Sequence, residues 1–292
     1  MKFKKVAKIF LSCVLAGAVF TGCGGGEQAA TDKPANNSAG ETVKLGMLNR
    51  INADETKMGS LLDTFAENLG VKGTKHLPKF YDNLRTMQLA IESGDIDSFS
   101  TYQCVADYLV ANNDKFEISE NSALNKLVDN FCFAVRADDK ELKSELDKAI
   151  DEMKADGTLD KFINEYITGV NKGKTPPKVE IPNTEGAQSL KVGITGDLPP
   201  LDLVLSDDSP AGFNTAMLAE ISKRLGKNIK IVQIETGARA AALNANLIDV
   251  VFWAIVPIGG EIPGDIDKPK GLELSNPYFK DNVAVIKLKS DK

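Results

Sequence analysis

The chain has 292 residues, 42% of them apolar and 26% charged, with a net charge of −6 at neutral pH. That length accommodates one large or two modest folded cores, and the apolar fraction excludes a disordered chain. The acidic balance excludes nucleic acid and anionic lipid surfaces as electrostatic partners.

At the amino terminus Lys2, Lys4, Lys5 and Lys8 precede an apolar run from Ile9 to Phe20, and "FTGC" then opens into Gly24-Gly25-Gly26. A basic start, a short apolar run and small residues read as an export signal, too short and wrongly flanked to span a bilayer. The expectation is a signal peptide over 1–22. The stretch also resembles a bacterial lipobox, which implies lipidation of the Cys23 thiol. The alternative is an ordinary secreted protein with an incidental cysteine. Residues 23–42 are polar and without apolar period, a flexible tether. Removing the signal leaves 31 basic against 41 acidic side chains, a net charge of −10. Cys13 leaves with the signal. Cys104 and Cys132 remain where a disulfide is permitted, but buried free thiols are the simpler reading of two cysteines.

The folded part starts with a strand from Val43 to Leu48, followed by a helix with Met58, Leu61, Leu62, Phe65 and Leu69 at helical spacing, closed by Gly70. "LAIESGDIDSFS", Leu89 to Ser100, is a short helix, a left-handed turn at Gly94 and a strand carrying Ile96-Asp97. Further on, Asp138 and Glu141 form a capping box for a helix striped by Leu142, Leu146, Ala149, Ile150 and Met153. After Gly157 a shorter stripe of Leu159, Phe162, Ile163 and Tyr166 follows. Residues 171–189 are punctuated by Pro and Gly and read as a linker. The opening pattern then returns: "LKVGITG", a helix with Phe213, Met217, Leu218, Ile221 and Leu225 ended by Gly226, and "ALNANLIDVVFW" with Asn246 at the left-handed turn. Apolar strands alternating with helices predict parallel α/β units covered on both faces. The expected organisation is therefore two α/β lobes, 43–131 and 190–292. A crossing strand and tail helices (132–170) and the linker lie between them.

These pieces resemble a known family. "GDIDSFSTYQCVADYLVANN" with "NFCFAVRADDKELKSELDKAIDEMKADGTLDKFINEYI" is similar to the second lobe and carboxyl-terminal tail of the family 3 solute-binding proteins, the amino-acid receptors of ABC importers. "VGITGDLPPLDLV", "AGFNTAMLAEISKRLG", "LIDVVFWAIVP" and "LSNPYF" are similar to their first lobe. The family order is lobe one, lobe two, tail; here it is lobe two, tail, lobe one. The resemblance thus implies a type II periplasmic-binding-protein fold in circularly permuted order, with a ligand cleft between the lobes. The rival reading is a tandem of two truncated receptors. It further implies a small-molecule ligand, an ABC importer permease as partner, no cofactor or metal, and a monomer tethered outside the cell membrane by its lipid alone.

The family's cleft positions carry over unevenly. Its aromatic before Pro-Pro becomes Leu198, and where its ligand-clamping Arg follows a Ser-rich stretch this chain has Trp253, Ala254, Ile255 and Val256, with no Arg from 240 to 292. The loop that presents N–H groups to the carboxylate corresponds to Arg50, Ile51 and Asn52, and the Asp that receives the amino group falls at Tyr102. A bidentate Arg clamp is not replaced by an aliphatic side chain. The expectation is a small organic solute bound without the usual carboxylate clamp, amino-acid-like or aromatic or apolar but not a standard zwitterionic amino acid, stacked on Trp253 and Tyr102 with Arg50, Asn49, Asn52 and Gln103 as polar contacts. Asp197, Leu198 and Arg239 complete the candidate set, Arg239 as a replacement cation. Against this stands the reading of Trp253 as core and Arg50 as a solvated charge. Two other classes stay open: a periplasmic dehydratase-like enzyme using acids such as Asp54, Glu55, Asp197 or Asp202, and a degenerate receptor serving as a sensor. His76, the single histidine, falls in a loop-like stretch, and no P-loop, GxSxG elbow or CxxC is present.

Overall fold

The computed structural model describes residues 41–50, 52–168, 173–255, 262, 263, 266–268 and 270–290. The predicted signal peptide, Cys23 and most of the tether lie outside the described residues. The elements run in chain order: β1 (Thr42–Leu48), α1 (Glu55–Asn68), β2 (Lys75–Tyr81), α2 (Leu84–Glu92), β3 (Ser98–Tyr102), α3 (Gln103–Asn112) and β4 (Phe116–Ile118). Next come β5 (Val128–Arg136), α4 (Lys140–Ala155) and α5 (Thr158–Ile163). The remainder comprises β6 (Ser189–Ile194), the short strands β7 (Asp197–Leu198), β8 (Asp202–Val204) and β9 (Pro210–Ala211), α6 (Phe213–Leu225), β10 (Asn228–Gln233), α7 (Arg239–Asn244), β11 (Val250–Ile255), β12 (Leu272–Leu274) and β13 (Phe279–Leu288).

The protein is α/β, and its strands fall into two groups. In the first, β1 lies parallel between β2 and β3. In the second, β6 lies parallel between β10 and β11, and β11 pairs antiparallel with β5. The long strand β13 belongs to both: Phe279 to Asn282 pair with β5, and Val283 to Lys287 pair with β3. The hydrogen-bonded path therefore runs unbroken from β10 to β2, but it changes group at the Asn282-Val283 step.

The two groups repeat one device. Asp97 accepts from Lys44 N at 2.8 Å and returns its own N–H to Lys44 O at 2.9 Å; Asp249 does the same with Lys191, at 2.9 and 2.8 Å. Each clasp ties the strand after the left-handed turn to the opening strand, and the turns are made by Gly94 (φ 76°) and Asn246 (φ 57°). The preceding isoleucines, Ile96 and Ile248, are buried. Each lies on a glycine of the opening strand: a Cβ on Gly46 would sit 2.6 Å from Ile96 Cδ1, and one on Gly193 2.8 Å from Ile248 Cδ1. The Lys-x-Gly of each opening strand and the Ile-Asp of each third strand are thus one packing unit, with glycine present because the isoleucine needs its space.

Between β5 and β6 in sequence, α4 and α5 pack on α6. Arg224 on α6 reaches Asp156 at 2.8 Å and Glu152 at 3.6 Å, and Lys227 pairs with Glu145. Gly157, at φ 78°, makes the break between the two helices. The following chain lies along the second group: Val179 N donates to Pro210 O at 3.1 Å, and the Asn228 side chain brackets Thr184 through N–H and C=O at 2.7 and 2.8 Å.

Several expectations need correction. The cap of α4 is Asp139, whose carboxylate accepts from Leu142 N, not Asp138. Leu69 is 46% exposed, because α1 has already ended when the chain reaches it. His76 lies in β2, buried, with Nδ1 2.8 Å from Asp63 Oδ1, because β2 alternates inward and outward side chains. The strand expected to cross between lobes from residue 132 starts at Val128. Cys104 and Cys132 are both free and buried, and burial pushes the Cys132 thiol up to about 12.

Candidate functional site

The carboxyl ends of β1 and β3 in one group face those of β6 and β11 in the other, where parallel α/β units offer their ligand sites. A cavity of about 50 Å³ lies there. Asn49 and Arg50 follow β1 into it, Tyr102 ends β3, Thr195 follows β6, and Trp253 comes from β11. Leu198, Asp202, Arg239 and Asp267 also line it. Six of the nine candidate residues thus meet in one place: Asn49, Arg50, Tyr102, Leu198, Arg239 and Trp253.

The other three do not line it. Asn52 turns away, its backbone N–H donating to Ile266 O at 3.0 Å and its side-chain amide to Lys268 O at 2.6 Å. Gln103, in the first turn of α3, donates to Asp107 at 3.1 Å. Asp197 accepts from Leu84 N at 2.9 Å, closing the first turn of α2 from the opposite group. Nearby, Asn83 donates to Glu235 at 3.2 Å and Thr236 N to Asp82 O at 3.3 Å, so the two groups are in contact along this rim.

The interior of the cleft is a charge cluster. Arg50 and Arg239 both approach the same oxygen, Asp267 Oδ2, at 3.4 and 3.7 Å, and Asp267 is 1% exposed. Arg239 is fixed by its Nε donating to Thr236 O at 3.0 Å and its guanidinium donating to Phe252 O at 3.2 Å. Its guanidinium also lies over the Trp253 ring, 4.0 Å from the centroid. Trp253 is fully buried, and its Nε1 donates to Asp267 O at 2.8 Å. That indole is therefore core, with one face taken by Arg239. Arg50 is a paired, largely buried charge and not a solvated one.

Burial shapes the titration of these groups. It pulls the Arg239 guanidinium down, and the net shift is downward in spite of Asp267. It pulls on Arg50 too, but the Asp267 and Asp129 carboxylates outweigh it and the net shift is upward. Burial pushes Asp202 up to about 6, although it accepts from Gly196 N at 3.0 Å and Thr195 Oγ1 at 3.1 Å. It pushes Asp129 to about 6 as well, against the pull of Arg50, and raises the Tyr102 phenol.

A second cavity of about 40 Å³ adjoins the first, sharing Leu48, Arg50 and Tyr102 with it. Its walls are mostly apolar, Met47, Met58, Leu62 and Leu124 among them, with Arg50, Ser100, Thr101 and Asp129 as polar members. Sequence reasoning missed Asp267, Asp129 and Thr101. Asp129 carried a signal: it is a carboxylate inside the apolar strand sequence "VDNFCFAV", where a charge needs a reason. Asp267 carried none, because its partners are distant in sequence.

Residues 190–292 match the family of bacterial extracellular solute-binding proteins, family 3. No curated protein matches the chain. Among solved structures, the chain is similar to the probable amino-acid ABC transporter extracellular-binding protein of Bacillus subtilis at 10% identity and TM-score 0.41, covering 87% of this chain and 86% of that one. It is similar to the GluR0 ligand-binding core of Nostoc punctiforme in complex with L-glutamate at 11% identity and TM-score 0.37, covering 85% of each chain. An ancestral arginine-binding protein bound to arginine aligns at 13% identity and TM-score 0.39, covering 87% of each chain. Among the described residues no helix is long and apolar enough to cross a membrane.

Proposed function

We propose, on the premise that residues 190–292 carry the family 3 solute-binding pattern, that this protein captures a small organic solute between its two α/β lobes and delivers it to an ABC importer. The observation that carries this reading is the cavity lined from both strand groups at their carboxyl ends, with β5 and β13 as the connections about which the lobes can hinge. The permuted order, lobe two then tail then lobe one, is part of the same proposal, and α4 and α5 packing on α6, with the chain after them lying along the second group, supports it. We further propose export, lipidation at Cys23 and a tether that holds the monomer at the outer face of the membrane.

The test is a thermal-shift screen of the whole chain against chemically diverse solutes, including amino acids, short peptides, alcohols, amines and aromatic acids. A solute at 100 times its Kd stabilises by about 2.7 kcal/mol, which such a screen reads easily. Small-angle scattering of each hit should show contraction. No stabilising solute at millimolar concentration would overturn the receptor reading, and a clear shift by glutamate or lysine would overturn the absence of an amino-acid clamp. Mass spectrometry of the membrane fraction tests Cys23: an unmodified thiol removes the anchor.

A further inference from the structure

Two features of the cleft constrain the solute beyond its being small and organic. First, the cationic position is already filled from within. Arg50 and Arg239 come from opposite lobes and both face Asp267 Oδ2, so an incoming carboxylate would have to displace a buried carboxylate of the chain itself. Second, three residues that line the adjoining cavity carry buried polar atoms without a hydrogen-bond partner: Arg50 Nε, Thr101 Oγ1 and Asp129 Oδ2. Thr101 is 7% exposed and Asp129 1% exposed, so solvent does not serve them. Buried polar atoms cost free energy unless paired, and each one calls for an explanation.

The three atoms have different needs. Arg50 Nε can only donate, an ionised Asp129 Oδ2 can only accept, and Thr101 Oγ1 can do either. A carboxylate cannot donate to Asp129. An ammonium cannot accept from Arg50 and would stand beside a guanidinium. A hydroxyl accepts from one and donates to the other. From this we infer that the solute of this cleft is a hydroxyl-bearing molecule without a carboxylate, its O–H placed between Arg50 and Asp129 beside Thr101. The rest of the solute meets the methionine and leucine side chains of the second cavity and, in the first, Tyr102 and Phe131. Asp267 is then the specificity residue that bars acids. This inference rests on the receptor reading above.

Ligand-detected NMR of the whole chain with two matched series tests it: propan-1-ol, propylamine and propionate; and 2-phenylethanol, 2-phenylethylamine and phenylacetate. In at least one series the alcohol should bind tenfold or more tightly than its amine and acid. Thr101→Val and Asp129→Leu should each weaken that alcohol at least fivefold while keeping the native near-ultraviolet circular dichroism. Thr101→Val is nearly isosteric and keeps the test valid if Asp129→Leu does not fold. A preference for amine or acid, or alcohol binding unmoved by Thr101→Val, overturns the hydroxyl assignment. No binding in either series overturns it too, leaving a buried water as the partner of these atoms. The wider solute screen decides the receptor reading separately, because a hit of any other class there upholds capture while these series fail.

Discussion

Replacing Asp129 with Asn removes a charge that the folded protein holds at a loss. Burial raises the folded-state value of this carboxyl to about 6, with Arg50 only partly opposing it, against an ordinary value of about 3.9. The folded state therefore binds this proton more tightly than the unfolded state does. The penalty is full above pH 6, shrinks as the pH falls through 6, and is gone below about 4. That rise from about 3.9 to about 6 corresponds to about 3 kcal/mol. At this chain length that is roughly 6–12 °C in Tm. Scanning calorimetry of the wild type and Asp129→Asn from pH 4 to 8 should show the variant more stable at pH 7.5, with the difference vanishing near pH 4. Asp202 shifts in the same direction, so the wild-type profile alone does not isolate Asp129, whereas the difference between the two proteins does. A variant less stable than wild type at pH 7.5 would refute the reasoning, since it would mean that the Arg50 partnership outweighs the burial cost.

Ile96→Ala and Ile248→Ala remove equivalent side chains from the repeated clasp, and each should cost about 2–5 kcal/mol in urea denaturation; a loss below 1 kcal/mol at either would mean that the two clasps are not equivalent. Asp267→Asn leaves two buried guanidinium groups without their shared charge and should cost about 3–5 kcal/mol at neutral pH, with a red shift of emission from Trp253, the chain's single tryptophan, as its packing loosens. Unchanged stability would mean that the arginines have other anions. Cys104 and Cys132 should resist thiol reagents at pH 8 in the native protein and react fully in guanidinium, as read by peptide mass mapping, because burial raises both thiols; native labelling at either would place that residue at the surface.

The strands, helices and their parallel arrangement were legible because they rest on local signals: apolar period, left-handed residues such as Gly94 and Asn246, and the glycine that ends α6. The recurrence of the opening strand and of Ile-Asp was visible as a pattern, although its reason, an isoleucine seated on a glycine with an aspartate closing the backbone, appears only in three dimensions. Arg239 was legible as a cation near the cleft. What it does there was not, since its position over Trp253 and beside Asp267 depends on three segments meeting. For the same reason Asp197 looked like a cleft residue and is instead the acceptor for the first turn of a helix in the other strand group. The sequence by itself determined two α/β halves and their local punctuation, because backbone propensity and side-chain period act over a few residues. Only the tertiary structure decided which charges neutralise each other and which polar atoms are left for a solute, because pairing energies depend on distance and burial, and neither is written along the chain.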